Sequence, residues 1–168
     1  RKVFQDGRIV ELQGFNNGIP TYYTTTSNVI SAATISSNKV HPGGSAGLNL
    51  NGNGVVLGMW DGGRTRITHQ EFNGRVSQMD AAIDLSDHAT HVAGTMVATG
   101  TSASAKGMSF DASLNAYDWN SDNSEMTTAA ANGLLVSNHS YGTICGWIYN
   151  FRGDDKWVWF GDTAASLI

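Results

Sequence analysis

The sequence has little cysteine, little proline and no long apolar run. It contains one cysteine and two prolines in 168 residues. A single cysteine, Cys145, excludes an internal disulfide framework and a cysteine-rich zinc site. Its glycine and apolar neighbours favour a buried bystander over a nucleophile. The longest apolar runs, such as residues 54–60, are too short to span a bilayer, so we expect no membrane partner.

Charge is also scarce and forms no basic cluster. Charged residues make up 14% of the chain, with 10 Lys and Arg against 14 Asp and Glu, which gives a net charge of −4. This balance argues against nucleic acid as a partner. A hydrophobic content of 40% is enough for one domain with a buried core. Few lysines and many small polar residues are typical of exported proteins, so we expect a processed, secreted (extracellular or periplasmic) protein.

Residues 1–40 differ in sequence pattern from the rest of the chain. Apolar residues on both sides of a turn signal at Asp6 predict a short hairpin. Residues 18–26 are predicted to be extended because they combine a proline, β-branched residues and tyrosines. Residues 27–40 are small, polar and weakly periodic, which favours a linker or a surface segment. We therefore divide the chain into an N-terminal extension with its linker, residues 1–40, and a second unit, residues 41–168.

From residue 52 onward the pattern changes to alternating strands and helices. A continuous apolar run that ends in Asp-Gly-Gly is typical of a buried parallel strand that opens into a loop. The predicted elements are strands 55–60, 114–119 and 136–142 and helices 89–99 and 124–136, with Ser86 or Asp87 as N-cap and Gly94 as a site of close packing. This alternation predicts an α/β fold whose parallel sheet carries helices on both faces, preceded by a small β or extended segment.

Two residues at the predicted edge of this sheet could carry chemistry. Asp61 lies just after the predicted strand 55–60, and sites in open α/β sheets form at the carboxyl ends of strands. His88 opens a helix, where unpaired N–H groups disfavour a protonated imidazole and, with a nearby carboxylate, tune the histidine to act as a base near neutral pH. Taken singly, each residue has a plainer interpretation, as a turn-forming aspartate and as an exposed polar cap.

His91 lies three residues after His88 and raises the alternative of a zinc site. Helical zinc pairs favour a spacing of four with a glutamate between, as in H-E-x-x-H, and the present spacing does not match. We therefore expect no metal here and predict that His91 packs and forms hydrogen bonds beneath the site. A metal-dependent hydrolase that uses both histidines remains an alternative.

Four segments follow one another in an order that is more specific than any one of them. They are GVVLGMWDGGRTRITHQEF (54–72), DHATHVAGTMVATG (87–100), AKGMSFDASLNAYDW (105–119) and VSNHSYG (136–142). They resemble, in turn, the aspartate segment, the histidine helix, the next loop and strand, and the substrate-pairing strand of the subtilisin-like serine proteases (subtilases, peptidase family S8). The resemblance covers about residues 50–145.

The resemblance implies a serine endopeptidase and assigns roles to individual residues. Asp61 and His88 become the aspartate and histidine of an Asp–His–Ser triad that cleaves proteins or peptides. The strand that pairs with the substrate backbone becomes Ser140, Tyr141 and Gly142. No cofactor is required, although the family frequently holds structural calcium, for which residues 118–125 are an acidic candidate.

The chain departs from the family pattern at three places. Ala89 replaces a helix glycine, and Gly62 replaces the Ser or Thr after the aspartate, which removes one supporting hydrogen bond. The downstream Gly-Thr-Ser nucleophile motif and the oxyanion asparagine have no counterpart, because residues 100–102 fall too early. The expected partner is therefore the remaining C-terminal part of the protease, without which this chain is inactive. The alternative is a non-catalytic subtilisin-like binding or inhibitory module.

The resemblance also implies a role for the N-terminal region. Subtilisin-like enzymes are made as zymogens whose propeptide ends in an extended tail lying in the active-site cleft. Residues 1–26 look like the end of such a propeptide, with maturation cleavage within residues 23–40. The alternative is an additional edge hairpin of the catalytic domain.

Overall fold

The computed structural model describes residues 2–3, 9–16, 19–24, 28–141 and 146–160. The strands are β1 (Lys2–Val3), β2 (Ile9–Asn16), β3 (Ile19–Thr24), β4 (Val56–Asp61), β5 (Val76–Gln78), β6 (Ser113–Asp118), β7 (Ser137–His139), β8 (Gly146–Tyr149) and β9 (Trp157–Phe160). The helices are α1 (Asn28–Thr34), α2 (Ser37–Val40), α3 (Asp87–Val97) and α4 (Asp122–Ala131). Within this part of the chain, no helix is both long and apolar enough to cross a membrane.

A four-stranded parallel sheet in the order β5-β6-β4-β7 forms the centre of the fold. β4 pairs with β6 from Val56 opposite Ser113 to Asp61 opposite Asp118, and its other edge pairs with β7. Parallel neighbours require crossover connections, which α3 and α4 help to provide, so the predicted α/β parallel sheet is confirmed. The register brings the carboxyl ends of β4 and β6 together at Asp61 and Asp118.

The hydrophobic core lies between this sheet and α3. Ala89, Ala93 and Val97 recur every four residues on one side of α3, and each is fully buried. The core cluster comprises Leu57, Met59, Phe72, Val76, Ala89, Ala93, Val97, Ala112, Leu114 and Ala116. Because small alanines let the helix approach the strands closely, the core fixes α3, and therefore the residues at its N-terminus, against the sheet.

The opposite face of the sheet is organised by Trp60. The Trp60 ring is fully buried and stacks on Tyr117, with centroids 4.3 Å apart, and on His139, with centroids 5.4 Å apart. Its indole Nε1 donates a hydrogen bond of 3.0 Å to the Glu125 carboxylate on α4. A buried indole N–H needs such a partner, so this bond ties α4 to the sheet even though no residue of α4 is itself buried.

Several predicted boundaries are wrong, each for a local reason. The helix predicted over 124–136 ends at Ala131 because the chain turns at Gly133, whose φ of 93° lies in the left-handed region. β5 is missed by sequence reasoning because three residues are too short to show a period. The aromatic tail forms an unpredicted antiparallel hairpin, in which β8 pairs with β9.

The N-terminal sheet agrees with prediction, whereas the segment that follows it does not. β2 pairs antiparallel with β1 and β3, while the Asp6 turn lies outside the described residues. Residues 28–40 form α1 and α2 instead of a linker. Tertiary contacts outweigh weak helix propensity here: the Ser37 hydroxyl donates to Met108 Sδ at 3.3 Å, and the His41 ring bonds the Met108 carbonyl at 2.8 Å. The division of the chain at residue 40 stays a prediction.

Two glycines form a matched pair for testing how this core is packed. The predicted close packing at Gly94 is wrong, since a Cβ built there meets no atom within 4 Å outside its own helix. Gly107 is the tight site, where a Cβ would lie 2.5 Å from the backbone nitrogen of Ala98. We expect Gly94→Ala to raise the free energy of unfolding by about 0.5–1 kcal/mol through helix propensity. Gly107→Ala should lower it by about 1–3 kcal/mol because backbone must move. Urea denaturation measures both, and equal effects would contradict this account.

Candidate active site

Asp61 is held in a buried position at the carboxyl end of β4. Alternation along the strand places it on the same side as Met59, facing α3, and the residue is 2% exposed. Its Oδ1 accepts a hydrogen bond of 2.8 Å from the Gly62 N–H. Its Oδ2 is buried and has no hydrogen-bond partner among the described residues. The expectation that glycine at position 62 removes a supporting hydrogen bond stays a prediction.

His88 meets this carboxylate from the first turn of α3. Ser86, one of the two predicted candidates, caps the helix, and its hydroxyl oxygen accepts from the Ala89 N–H at 3.1 Å. The His88 Nδ1 lies 2.7 Å from Asp61 Oδ1, while the imidazole is 61% exposed. With the Nδ1 proton donated to Asp61, the ring is fixed in the tautomer whose Nε2 can accept a proton. The structure thus brings the two residues together.

The aspartate loop and the histidine helix are also joined by backbone. The Arg64 N–H donates to the Asp84 carbonyl at 2.8 Å, and the Ser86 N–H donates to the Arg64 carbonyl at 2.9 Å. The Arg66 N–H donates to the Thr90 hydroxyl at 3.0 Å. These bonds lock the segment after Asp61 to the first turn of α3, so the dyad geometry does not depend on the His–Asp contact alone.

Carboxylates behind the dyad hold the ends of the strands, and sequence reasoning missed them. Asp118 Oδ2 accepts from the Gly63 N–H at 3.0 Å. Asp80 accepts from the Asp118 N–H at 2.6 Å and from the Gln78 side-chain amide at 2.7 Å. Burial first, followed by the nearby charges of Glu125 and Asp80, raises the pKa of Tyr117 on the neighbouring strand. The sequence signals for Asp118 were its place near the end of a predicted strand and in the acidic segment 118–125, and neither indicated its bond to Gly63.

Glu71 fastens the other end of α3. It is 5% exposed and accepts hydrogen bonds from the backbone of residues 100, 101 and 102, at 2.7–2.9 Å, and from the Thr99 hydroxyl at 3.1 Å. Burial alone raises the pKa of Glu71, but the donors of Ser102, Gly100, Thr101 and Thr99 outweigh it, so the pKa lies below its usual value. A single carboxylate therefore organises the loop that follows the histidine helix.

His91 does not pack beneath the site, and that prediction is wrong. Its side chain is exposed, because a step of three residues from His88 turns it away from the buried side of α3 defined by Ala89 and Ala93. Among the described residues, no three His, Cys, Asp or Glu side chains are grouped closely enough to hold a metal ion. The zinc alternative therefore gains no support from the structure.

The acidic segment considered for calcium lines a cavity of about 420 Å³. The carboxylates of Asp80, Asp84, Asp118 and Glu125 contribute to its wall. Oxygens of Asp80 and Asp118 already accept backbone N–H groups, and Glu125 accepts the Trp60 indole. A structural calcium stays a prediction.

The predicted substrate-pairing strand is described only in part, since Gly142 lies outside the described residues. Ser140 is exposed and its Oγ accepts from the Asn138 side-chain amide at 2.8 Å. The Tyr141 hydroxyl donates to Asp122 at 2.6 Å. Burial, that hydrogen bond, and the nearby charges of Asp122 and Asp61 raise the pKa of Tyr141 to about 12. The phenol is therefore a fixed, neutral group beside the dyad.

Comparison with known proteins gives a family and no individual relative. The subtilase family (peptidase S8) matches residues 52–163, which is more than half of the chain. No curated protein and no solved structure matches the chain. The matched span contains β4, α3, β6, α4 and β7, together with both residues of the dyad. The chain therefore belongs to the subtilase family, a family of serine proteases.

Proposed function

We propose that this chain supplies the aspartate and the histidine of a serine endopeptidase, with Asp61 and His88 as two members of an Asp–His–Ser triad. The observation that carries the proposal is the 2.7 Å contact between His88 Nδ1 and Asp61 Oδ1. A buried carboxylate that holds an exposed imidazole through Nδ1 leaves Nε2 to receive a proton. Membership of a serine protease family supports the same roles.

In the proposed reaction, His88 moves a proton and Asp61 prepares it to do so. As a serine hydroxyl attacks the peptide carbonyl, Nε2 of His88 accepts the hydroxyl proton and later gives it to the leaving amine. Asp61 keeps Nδ1 protonated and stabilises the imidazolium that forms. A water molecule then takes the place of the amine, and His88 repeats the transfer to release the acid and restore the serine.

The serine is proposed to come from the remaining C-terminal part of the protease. The Gly-Thr-Ser segment of this sequence, residues 100–102, closely follows α3 and falls too early for the role. Within the described residues, β7 pairs only with β4, and the adjoining Leu135 and Val136 are 92% and 58% exposed. An unpaired edge beside exposed apolar side chains is a surface that another strand can cover. The chain alone is accordingly proposed to be inactive.

The proposed substrate is a protein or peptide bound in extended form along residues 140–142. Strand addition uses backbone hydrogen bonds for affinity and alternate side-chain pockets for selectivity. Ser140 and Tyr141 follow β7 directly, at the same edge of the sheet as the dyad. Subtilases are typically secreted, and we propose the same location for this protein.

The N-terminal sheet is proposed to be the end of a propeptide, so that the protein is a zymogen. β3 (Ile19–Thr24) would then precede the maturation cleavage, which we place within residues 23–40. N-terminal sequencing of active enzyme should find a start in or just after that range. Active material that begins at Arg1 would favour the alternative, an edge hairpin of the catalytic domain.

A non-catalytic binding or inhibitory module is the competing function. In this alternative the protein keeps the subtilase scaffold but has lost the serine, and the orphaned Oδ2 of Asp61 is the observation that favours it. A fluorophosphonate probe applied to the product of the complete reading frame separates the two functions. We expect covalent labelling of one serine in the complete protein and none in the 168-residue chain. A complete protein that keeps the Asp61–His88 contact and resists the probe would sink the peptidase proposal.

A further inference from the structure

Trp119 lies across the glycine that follows the dyad aspartate. A Cβ built on Gly62 would come within 2.9 Å of Cη2, 3.0 Å of Cζ3 and 3.2 Å of Cζ2 of the Trp119 ring. These distances are shorter than carbon–carbon contacts allow, so the indole occupies the space where any side chain at position 62 would begin. The Trp119 ring can therefore occupy this position only when residue 62 is glycine.

The same ring is open to solvent and borders the predicted substrate strand. Trp119 is 49% exposed, directly follows the last residue of β6, and meets the Tyr141 ring edge-on with centroids 5.7 Å apart. The Tyr141 phenol is anchored by Asp122, so the two rings make a preformed corner. A half-exposed indole on a rigid support is an apolar surface with little entropy left to lose on binding.

We propose that Trp119 is a specificity-determining residue, forming with Tyr141 an apolar wall that selects a large aliphatic or aromatic side chain of the peptide substrate. This inference rests on the proposed function, since it places the peptide beside Ser140 and Tyr141. Successive side chains of an extended peptide point to opposite sides, so one alternate set faces the corner of Trp119 and Tyr141. Gly62 acts as a positioning residue by leaving room for the indole.

The first test compares substrate preference in the complete protease and in four variants. A peptide library that varies one position at a time among Leu, Phe, Ala and Lys should show a preference for Leu or Phe at one position. Trp119→Ala should lower the ratio of kcat/KM for the preferred peptide to kcat/KM for the alanine peptide by about 10- to 100-fold. Gly62→Ala should act in the same direction because its methyl group displaces the ring. The double variant should match Trp119→Ala alone, since no ring is left to displace. Trp147→Ala, which truncates another exposed tryptophan (63% exposed), should leave the preference unchanged.

A second readout separates this inference from the proposed function. Calorimetric titration with N-methylated, uncleavable forms of the same peptides measures binding without catalysis. Suppose that no peptide is cleaved, that the Leu or Phe peptide still binds tightest, and that Trp119→Ala removes this difference in affinity. The peptidase proposal would then be wrong, whereas the role of Trp119 in side-chain selection would be supported. The wall is overturned if Trp119→Ala preserves the preference in either assay, if lysine is preferred at that position, or if the Gly62 and Trp119 effects add.

Discussion

In the complete protease, His88→Ala should lower kcat by about four to six orders of magnitude, the range found when a triad histidine is removed. Within the described residues, the His88 imidazole is the proton-transferring group that contacts the buried Asp61 carboxylate, and it is exposed to solvent. Asp61→Asn should cost about 10⁴-fold, because an amide at 2.7 Å favours the wrong tautomer of His88. Steady-state hydrolysis of a chromogenic peptide measures both losses.

His91→Ala is the matched control for this prediction. It removes an imidazole from the same helix, three residues further on, where the side chain is exposed. Its kcat should stay within a few-fold of the parent, and both histidine variants should unfold at similar urea concentrations. A loss in His91→Ala as large as that in His88→Ala would revive the zinc alternative, which uses both histidines, and a fully active His88→Ala would contradict the assigned roles.

Glu71→Ala should lower the free energy of unfolding by about 2–4 kcal/mol, the largest effect expected from one side chain outside the apolar core. The substitution leaves three backbone N–H groups and the Thr99 hydroxyl without their acceptor. Glu71→Gln should cost less, because an amide oxygen still accepts while its NH₂ opposes the remaining donors. Asp154→Asn, at an exposed carboxylate, is the control and should change stability by less than about 0.5 kcal/mol.

The Glu71 effect should also depend on pH, with a defined sign. The folded state lowers the pKa of Glu71 below the ordinary value of 4.5. Its contribution is therefore complete above that value and is lost as the pH falls through the lowered folded pKa. Urea denaturation of the parent and Glu71→Gln at a series of pH values should show their stability difference shrinking below pH 4.5. A difference that grows on acidification would contradict the assignment.

The sequence was sufficient to predict β4 and α3, because strong local signals define them, whereas the meeting of Asp61 with His88 was implied by the resemblance to the subtilases. A buried apolar run has one natural end, and Ser86 marks where the helix starts. Parallel pairing then brings strand ends to one edge without any knowledge of distant contacts. The roles of Asp61 and His88 in catalysis stay a proposal.

The features that sequence reasoning did not predict depend on contacts between residues that are far apart along the chain. Glu71 gives no local signal, since its acceptor role exists only once residues 99–102 fold around it. The contact of Trp119 with Gly62 likewise joins the residues that directly follow β6 and β4, and it needs the β4–β6 register. α2 forms where contacts of Ser37 and His41 with Met108 offset a weak intrinsic helix preference. These are tertiary effects, which periodicity does not report.

The open side of β7 has a practical consequence for anyone who produces this chain in isolation. Within the described residues, the N–H and C=O groups on that side of Ser137–His139 meet no strand, and the hydrophobic Leu135 and Val136 flank them. Two copies can satisfy each other there by forming an intermolecular ladder, which is how aggregates and swapped dimers begin. We therefore expect the isolated chain to aggregate more as its concentration rises. Replacing Val136 by lysine should reduce that aggregation.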